Sequence, residues 1–440
     1  MNIHTVSGYE EVGKNMTAVE SDGEVVLIDM GADMETVVEY EESLEEMSTS
    51  QAIEIGAAPD DSRIKEELRE DVVGIVVSHG HLDHCLALPK IAGAYDCPIY
   101  ATPFTAKVVE RIIEQDDEEV RNEVVPVNLG DTAAVSDSIE LEMVNITHSI
   151  PHTPLTVLHT DEGTVAYSLD FKLDEEPTMG GKPDYKRIRE LGEDGVTAYI
   201  ADSTRTDEQG RTKSERETAI ELRNILNKAY QENEGVIVST FSSHIARVNN
   251  ILDANAGRRR VALVGRSLKE YTQSADELGL IDLNRVDEVV SYRDEVEEFL
   301  QQASNEKEDW LIICTGHQGE PNAVLTRIAE GEYHYDITED DRVVFSSTTI
   351  PVPVNEANRY SVEKTMRENG ARVEVDVHSH GHGMREDQRD MLRMLDPDHV
   401  IPAHGTTEKL AACASLAMEE GYVLEEDVHI SQNGHTVEIS

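Results

Sequence analysis

Apolar and polar positions along this chain fall into two regimes. The first is a set of short, nearly continuous apolar runs rich in valine and isoleucine, each ending in polar residues. They are "GEVVLIDMG", "VVGIVVSHGH", "IELEMVNITHS", "GTVAYSLDF", "VTAYIADST", "GVIVSTFSS", "RRVALVGRS", "DWLIICTGHQG", "DRVVFSSTTI", "ARVEVDVHSHGH" and "DHVIPAHG". Such runs predict strands covered on both faces, because a strand with one wet face would alternate strictly. The second regime has helical spacing. "SERETAIELRNILNKAY" opens with Ser214 and Glu217 at capping-box spacing, and "EPNAVLTRIAEG" and "REDQRDMLRMLD" are amphipathic. Strand and helix patterns interleave, which predicts a layered α/β protein with sites at the carboxyl ends of its strands. The acidic stretch 39–71 predicts solvent-facing helix and loop.

One strand end is unusual. After "VVGIVV" the chain reads His79, His81, Asp83 and His84, an H-x-H-x-D-H pattern. His79 and His81 leave the strand with alternating spacing, so both side chains can face one side of the turn. Asp83 and His84 then begin the helical pattern "DHCLALPKIAGAY". Imidazole and carboxylate suit Zn²⁺, with Mn²⁺ and iron as alternatives. This density of ligands fits two adjacent metals better than one open site. His148, Asp170 and His404 each close another apolar run, as His79 does. A carboxylate such as Asp170 can bridge two metals ~3.5–4 Å apart. Asp29, closing "VVLIDMG", is expected to orient a histidine instead of binding metal.

Composition bounds the reading. At 440 residues the chain should hold more than one domain. Asp and Glu total 89 against 38 Lys and Arg, a formal net charge of −51. The acids are spread along the chain, which points to a halophilic surface adapted to high salt more than to a basic partner. At ~1 M salt the Debye length is ~3 Å, so this charge does not exclude a nucleic-acid substrate. No signal peptide or membrane-spanning run is apparent, and the scattered Cys85, Cys97, Cys314 and Cys413 suit reduced thiols in the cytoplasm.

The metal pattern with its later lone histidine, strand-end aspartate and final histidine resembles the metallo-β-lactamase fold. A second series narrows the likeness: "ADSTRTDEQGRTKSE", "TFSSHIARVNNIL", "VGRSL", "CTGHQGEPNAVLTRIA" and "VHSHGHG". In this order they are similar to the β-CASP nucleases, and within them to ribonuclease J of the archaeal type, over nearly the whole chain. The resemblance implies an αββα sandwich with an inserted β-CASP α/β domain. The expected boundaries are 1–205 and 371–440 for the sandwich and 206–370 for the insert. It implies His79, His81, His148 and Asp170 around one zinc and Asp83, His84, Asp170 and His404 around the other, with Mn²⁺ as the alternative metal. Asp202 matches the family's acidic motif, and His382 matches its histidine near the scissile phosphate. His380 stands where the family usually has a phosphate-contacting serine. The additional C-terminal domain of bacterial relatives and the KH-type region of archaeal cleavage factors are not expected.

The implied activity is 5′→3′ trimming of single-stranded RNA from a 5′-monophosphate end, with endonucleolytic cleavage as a second mode. Asp83 and Asp170 are the expected orienters of a water nucleophile, and His382 the donor to the phosphate or leaving oxygen. Ser243, His244, Arg266, Ser267, His378, Ser379, His380 and His382 are the expected phosphate contacts. Arg258, Arg259 and Arg260 form the one triple-basic run, readable as an RNA grip or as a solvated loop. A homodimer is compatible with this picture, and a membrane partner is not expected. A different metallohydrolase on the same fold, or a non-catalytic β-CASP RNA-processing protein, are the competing readings. The first would lack the insert's motifs and the second would lose ligands.

Overall fold

The computed structural model describes residues 1–40, 43–350 and 353–439. It resolves two compact units. The first comprises 1–175, 181–212 and 381–440, and the second comprises 176–180 and 213–380.

The first unit holds two sheets. One has the spatial order His435–Glu438, Asn2–Ser7, Met16–Ser21, Glu24–Ile28, Val72–Val77, Ile99–Ala101, Val124–Pro126. The other runs His399–Ala403, Ala198–Asp202, Gly163–Ser168, Pro154–Thr160, Ile139–Asn145, Thr132–Ala134. Their facing sides share one apolar cluster. Val19, Val26, Ile28 and Val76 come from the first sheet, and Leu141, Leu158, Val165, Tyr167 and Ile200 from the second. Each fully buried aliphatic side chain there contributes about 1.5–3 kcal/mol. The outer face of the second sheet packs on Ile188 and Leu191, Met391 and Leu395, and Ala414 and Ala417, from three helices. Helix Pro103–Gln115 buries Phe104, Val108 and Val109 beside the first sheet. The result is the expected αββα layering, and it explains the apolar runs: the inner strands are covered twice, while edge strands such as Thr132–Ala134 stay partly exposed.

The second unit is a six-stranded, wholly parallel sheet in the order Glu288–Val290, Arg260–Val264, Trp310–Cys314, Gly235–Ser239, Asp341–Phe345, Arg372–Glu374. The capping box at Ser214 and Glu217 forms as its spacing predicts, opening helix Glu215–Gln231. Strand Arg372–Glu374 pairs with Asp341–Phe345 at the edge of this sheet.

Two local expectations are modified. "DHCLALPKIAGAY" is not one helix. Helices Leu82–Cys85 and Leu88–Ile91 and a 3₁₀ turn Ala92–Ala94 succeed one another, with Pro89 at the start of the second, since Pro89 has no N–H to give the Cys85 carbonyl four residues back and its ring crowds that carbonyl. The acidic stretch 39–71, of which residues 41–42 lie outside the described residues, is not wholly solvent-facing. It buries Leu44, Met47, Ala52 and Ile64. No described helix is long and apolar enough to cross a membrane. All four cysteines are free and buried.

Candidate metal centre

Sheet direction gathers the site. Glu24–Ile28 and Val72–Val77 are parallel with Ile28 opposite Val76, so Asp29 and Ser78–His79 emerge side by side. Gly163–Ser168, Ala198–Asp202 and His399–Ala403 are parallel neighbours, so Asp170, Asp202 and His404 emerge together. Ile139–Asn145 is two antiparallel pairings from Gly163–Ser168, which restores its direction and brings His148 to the same edge.

The side chains converge on the Asp170 carboxylate. Nε2 of His79 and of His148 each lie 3.2 Å from Asp170 Oδ2, and His81 Nδ1 lies 3.8 Å from it. On the other oxygen, Oδ1, His84 Nε2 stands at 3.1 Å and His404 Nε2 at 3.4 Å. Asp83 Oδ2 lies 3.7 Å from His84 Nε2 and 3.8 Å from His404 Nε2. Three groups able to hold a metal ion lie around this carboxylate: His79, His81, His148 and Asp170; Asp83, His84 and His404; and Asp170, His382 and His404.

These donors fit a pair of cations. The Gly381 carbonyl faces His148 Nδ1 at 2.9 Å and can only accept, so the Nε2 of His148 carries a lone pair. Ser78 Oγ donates to Asp29 Oδ2 at 2.8 Å and therefore accepts from His79 Nδ1 at 3.1 Å, leaving that ring's Nε2 bare as well. Both bare nitrogens lie 3.1 Å from His81 Nδ1. Those two separations are close to the roughly 3.4 Å edge of a tetrahedron with metal–nitrogen bonds of about 2.1 Å. Asp170 Oδ1 is buried and has no hydrogen-bond partner among the described residues, a vacancy that coordination would fill.

Electrostatics agree. Burial keeps His79 well below its ordinary pKa and takes His148 down to about 4, so both are neutral ligands. Burial lowers His404 too, against the pull of Asp170 and Asp83. Burial would raise Asp170, but His382, His84, His79 and His404 hold it well below the usual carboxylate range. Burial likewise lowers His84, and Asp170, Asp29 and Asp83 overcome it, raising that ring well above its ordinary value. So much negative charge around one imidazole calls for a cation.

Other residues hold the ligands. Asp29, fully buried with φ of 63°, accepts from Ser78 N–H at 2.7 Å, from the Tyr167 hydroxyl at 2.7 Å and from His84 Nδ1 at 2.7 Å. Asp202 Oδ2 lies 3.1 Å from His382 Nδ1 and accepts from Gln388 Nε2 at 3.2 Å. Thr204 N–H and hydroxyl both donate to Asp202 Oδ1. His382 Nε2 stands 3.5 Å from Asp170 Oδ2. A Cβ at Gly381 would sit 2.5 Å from the His148 ring, so glycine is required there. Ser78, Tyr167, Gln388 and Asn15 were not foreseen from the sequence. Each is an ordinary polar residue whose role appears only when distant strands meet. The open side of the centre is formed by His81, Asp83 and His382, whose side chains are 21%, 24% and 24% exposed.

The expected phosphate contacts, His382 apart, lie in the second unit. His244 caps helix Ile245–Asn255, its Nδ1 accepting from Arg247 N–H at 3.2 Å. Ser242 and Ser267 hydroxyls meet at 2.8 Å, which joins the loop carrying Ser243 to the start of helix Arg266–Glu277. The rings of His378 and His380 are 5.0 Å apart, and those of His244 and His378 6.4 Å. Ser379 Oγ donates to the Lys213 carbonyl at 2.6 Å, and Arg266 is engaged with Glu270 of its own helix.

The triple-basic run is partly solvated, with Arg258 exposed and Arg259 buried, and its guanidiniums are engaged within the unit. Arg258 and Arg259 lie over the Tyr230 ring, Arg259 donates to the Glu234 carbonyl at 2.7 Å, and Arg260 pairs with Glu306 at 2.6 Å over Trp310.

Comparison with known proteins agrees with this architecture. Residues 9–223 match the metallo-beta-lactamase superfamily, 233–366 match the beta-CASP domain of ribonuclease J, and 370–431 match the Zn-dependent metallo-hydrolase RNA specificity domain. Ribonuclease J of Pyrococcus abyssi is 44% identical over 443 residues, covering 100% of this chain and 97% of that protein. Ribonuclease J of Methanocaldococcus jannaschii is 41% identical, covering 99% and 98%. Ribonuclease J of Sinorhizobium meliloti is 33% identical over 81% of this chain and 61% of its own length. A crystal structure of a protein of unknown function from Enterococcus faecalis shares the fold, with a TM-score of 0.68, 14% identity and 99% coverage of both chains.

Proposed function

We propose, given that this chain belongs to the ribonuclease J family, that it is a zinc-dependent ribonuclease that trims cytoplasmic RNA from a 5′-monophosphate end in the 5′→3′ direction. The observation that carries the reading is the division of one buried carboxylate, Asp170, between two sets of imidazoles. His79, His81 and His148 would hold one ion, Asp83, His84 and His404 the other, with Asp170 between. Two such ions, when bound, act as Lewis acids and bring the pKa of a shared water toward neutrality. Mn²⁺ suits the same nitrogen and oxygen donors.

The chain's own groups supply the rest. Asp83 lies on the open side and can accept a hydrogen bond from the attacking water, which orients it. Attack on phosphorus breaks the bond to the 3′ oxygen of the preceding nucleotide, and a proton must reach that oxygen. Without bound cations burial lowers His382, but Asp170 and Asp202 outweigh it and raise the ring to about 9; with its Nδ1 3.1 Å from Asp202, it is the candidate donor of that proton. The departing piece is a 5′-mononucleotide, and the shortened strand again begins with a 5′ phosphate, ready for the next cycle. Ser243, His244, Ser267 and the 378–380 loop are the candidate hydrogen-bond partners of the RNA backbone.

The test uses end-labelled RNA. The intact metal-loaded protein should release 5′-mononucleotides from 5′-monophosphorylated RNA and act poorly on 5′-triphosphorylated RNA. His81→Ala should abolish this while the fold survives. Internal fragments as the sole products would replace the exonuclease reading with an endonuclease.

A further inference from the structure

Asn15 lies between strands Asn2–Ser7 and Met16–Ser21 and is fully buried. Its amide touches both histidines of the Asp83, His84 and His404 group. Nδ2 is 3.1 Å from the Asp83 carbonyl oxygen and 3.0 Å from His84 Nε2, and Oδ1 is 3.0 Å from His404 Nδ1.

The Asp83 carbonyl fixes the amide's orientation. It can only accept, so the amide nitrogen must face it and the amide oxygen must face His404. An oxygen there requires the His404 proton on Nδ1, which leaves Nε2 bare toward Asp170 and Asp83. The choice is not trivial, because the Gly13 N–H also points at His404 Nδ1, at 3.2 Å. Without Asn15 that N–H favours the opposite tautomer, whose Nε2 is protonated and cannot bind a metal. The second amide hydrogen lies beside His84 Nε2, the atom that also faces Asp170, and gives way there when a cation takes that lone pair. His84 Nδ1, 2.7 Å from Asp29, is the matching donor. One amide therefore imposes the metal-binding tautomer on His404 and packs against His84, whose own tautomer Asp29 sets. The other group is oriented separately, by the Gly381 carbonyl and the Ser78 hydroxyl.

We propose that Asn15 is the positioning residue of the Asp83–His84–His404 ion alone, so that its loss weakens one metal position and spares the other. The inference rests on the two-ion reading above.

The experiment is stepwise zinc titration of the full chain against a chromophoric chelator, with bound metal counted by elemental analysis and the metal-free fold checked by circular dichroism. Wild type should bind two ions. Asn15→Ala should keep the tighter or looser step that His84→Ala also keeps, at wild-type affinity, and lose about 10–100-fold on the step that His84→Ala removes. Asn15→Asp keeps an acceptor for His404 but loses both N–H donations, so it should fall between wild type and Asn15→Ala, and it carries the test if the alanine variant does not fold. Unchanged affinities, or equal weakening of both steps, overturn the proposal. A wild-type protein that binds fewer than two ions overturns the two-ion reading instead.

Discussion

Arg247 is fully buried in the second unit and gives the sharpest test of how that unit is held. Its guanidinium pairs with both oxygens of buried Glu215, at 2.6 and 2.7 Å, and donates to the Ser346 carbonyl at 2.9 Å and the Val377 carbonyl at 3.3 Å. Arg247→Met would leave the Glu215 carboxylate without its counter-charge, with Asn250 at 2.9 Å and the His244 ring at 3.4 Å. Removing one member of a buried pair costs about 3–5 kcal/mol, mostly because the other charge is stranded. Replacing both, as Glu215→Leu with Arg247→Met, should recover most of that loss. The chain's single tryptophan, Trp310, lies in this unit's core against Phe299, so its fluorescence reports this unit's unfolding. With a urea slope of about 2.5 kcal/mol/M, the single variant's midpoint should fall by about 1–2 M. Burial pushes the Glu215 carboxyl up, and Arg247 and His244 outweigh it and hold it well below the usual range. A depressed carboxylate contributes stability above its unfolded pKa and loses it as pH falls through the folded value. The gap between wild type and variant should thus hold from neutral to mildly acidic pH and close only in strong acid. It should also be similar at about 0.1 M and about 1 M KCl, since a buried pair is little screened. A midpoint shift below about 0.5 M, or a double variant as unstable as the two singles summed, would refute the reasoning.

Two further outcomes are expected. His382 is held up to about 9, so its charge persists from low pH and is lost as pH rises through that value. Asp202→Asn should move the alkaline limb of the kcat/KM profile on RNA downward by about one unit or more, and an unmoved limb would remove His382 as the proton donor. The net charge of −51 repels itself least when the Debye length is short. The thermal midpoint should therefore rise steadily as KCl increases from about 0.1 M to about 1 M, where that length falls from about 10 Å to about 3 Å, and a flat response would exclude a high-salt adaptation.

The inner strands were legible because they are covered on both faces and so read as unbroken apolar runs, while short edge strands such as Thr132–Ala134 and Glu288–Val290 carry no such run. The residues expected to bind metal were legible for a related reason: His79, His148, Asp170 and His404 stand just past such runs, where parallel strands end together. What holds them was not. Asn15 follows an unremarkable "EEVGK", and its meaning depends on Asp83 and His404 arriving from either end of the chain. Gly381 matters through a carbonyl that no side-chain pattern encodes. Arg258, Arg259 and Arg260 misled because a basic run looks the same whether it meets RNA or its own tyrosine, tryptophan and glutamate.

That last point bears on how so acidic a chain would engage a polyanion. Long-range steering by a basic surface is absent from the composition and would be screened at high salt in any case. The arginines that the sequence offered as grips are engaged with neighbouring acids, carbonyls and rings. Recognition is then left to contacts that act only at hydrogen-bonding distance: imidazoles, hydroxyls and the cations that Asp170 would join. Such contacts lose little to salt and demand correct geometry. This accounts for the effort spent on orientation, where Asp29 faces His84, Asp202 faces His382, Asn15 faces His404 and the Gly381 carbonyl faces His148.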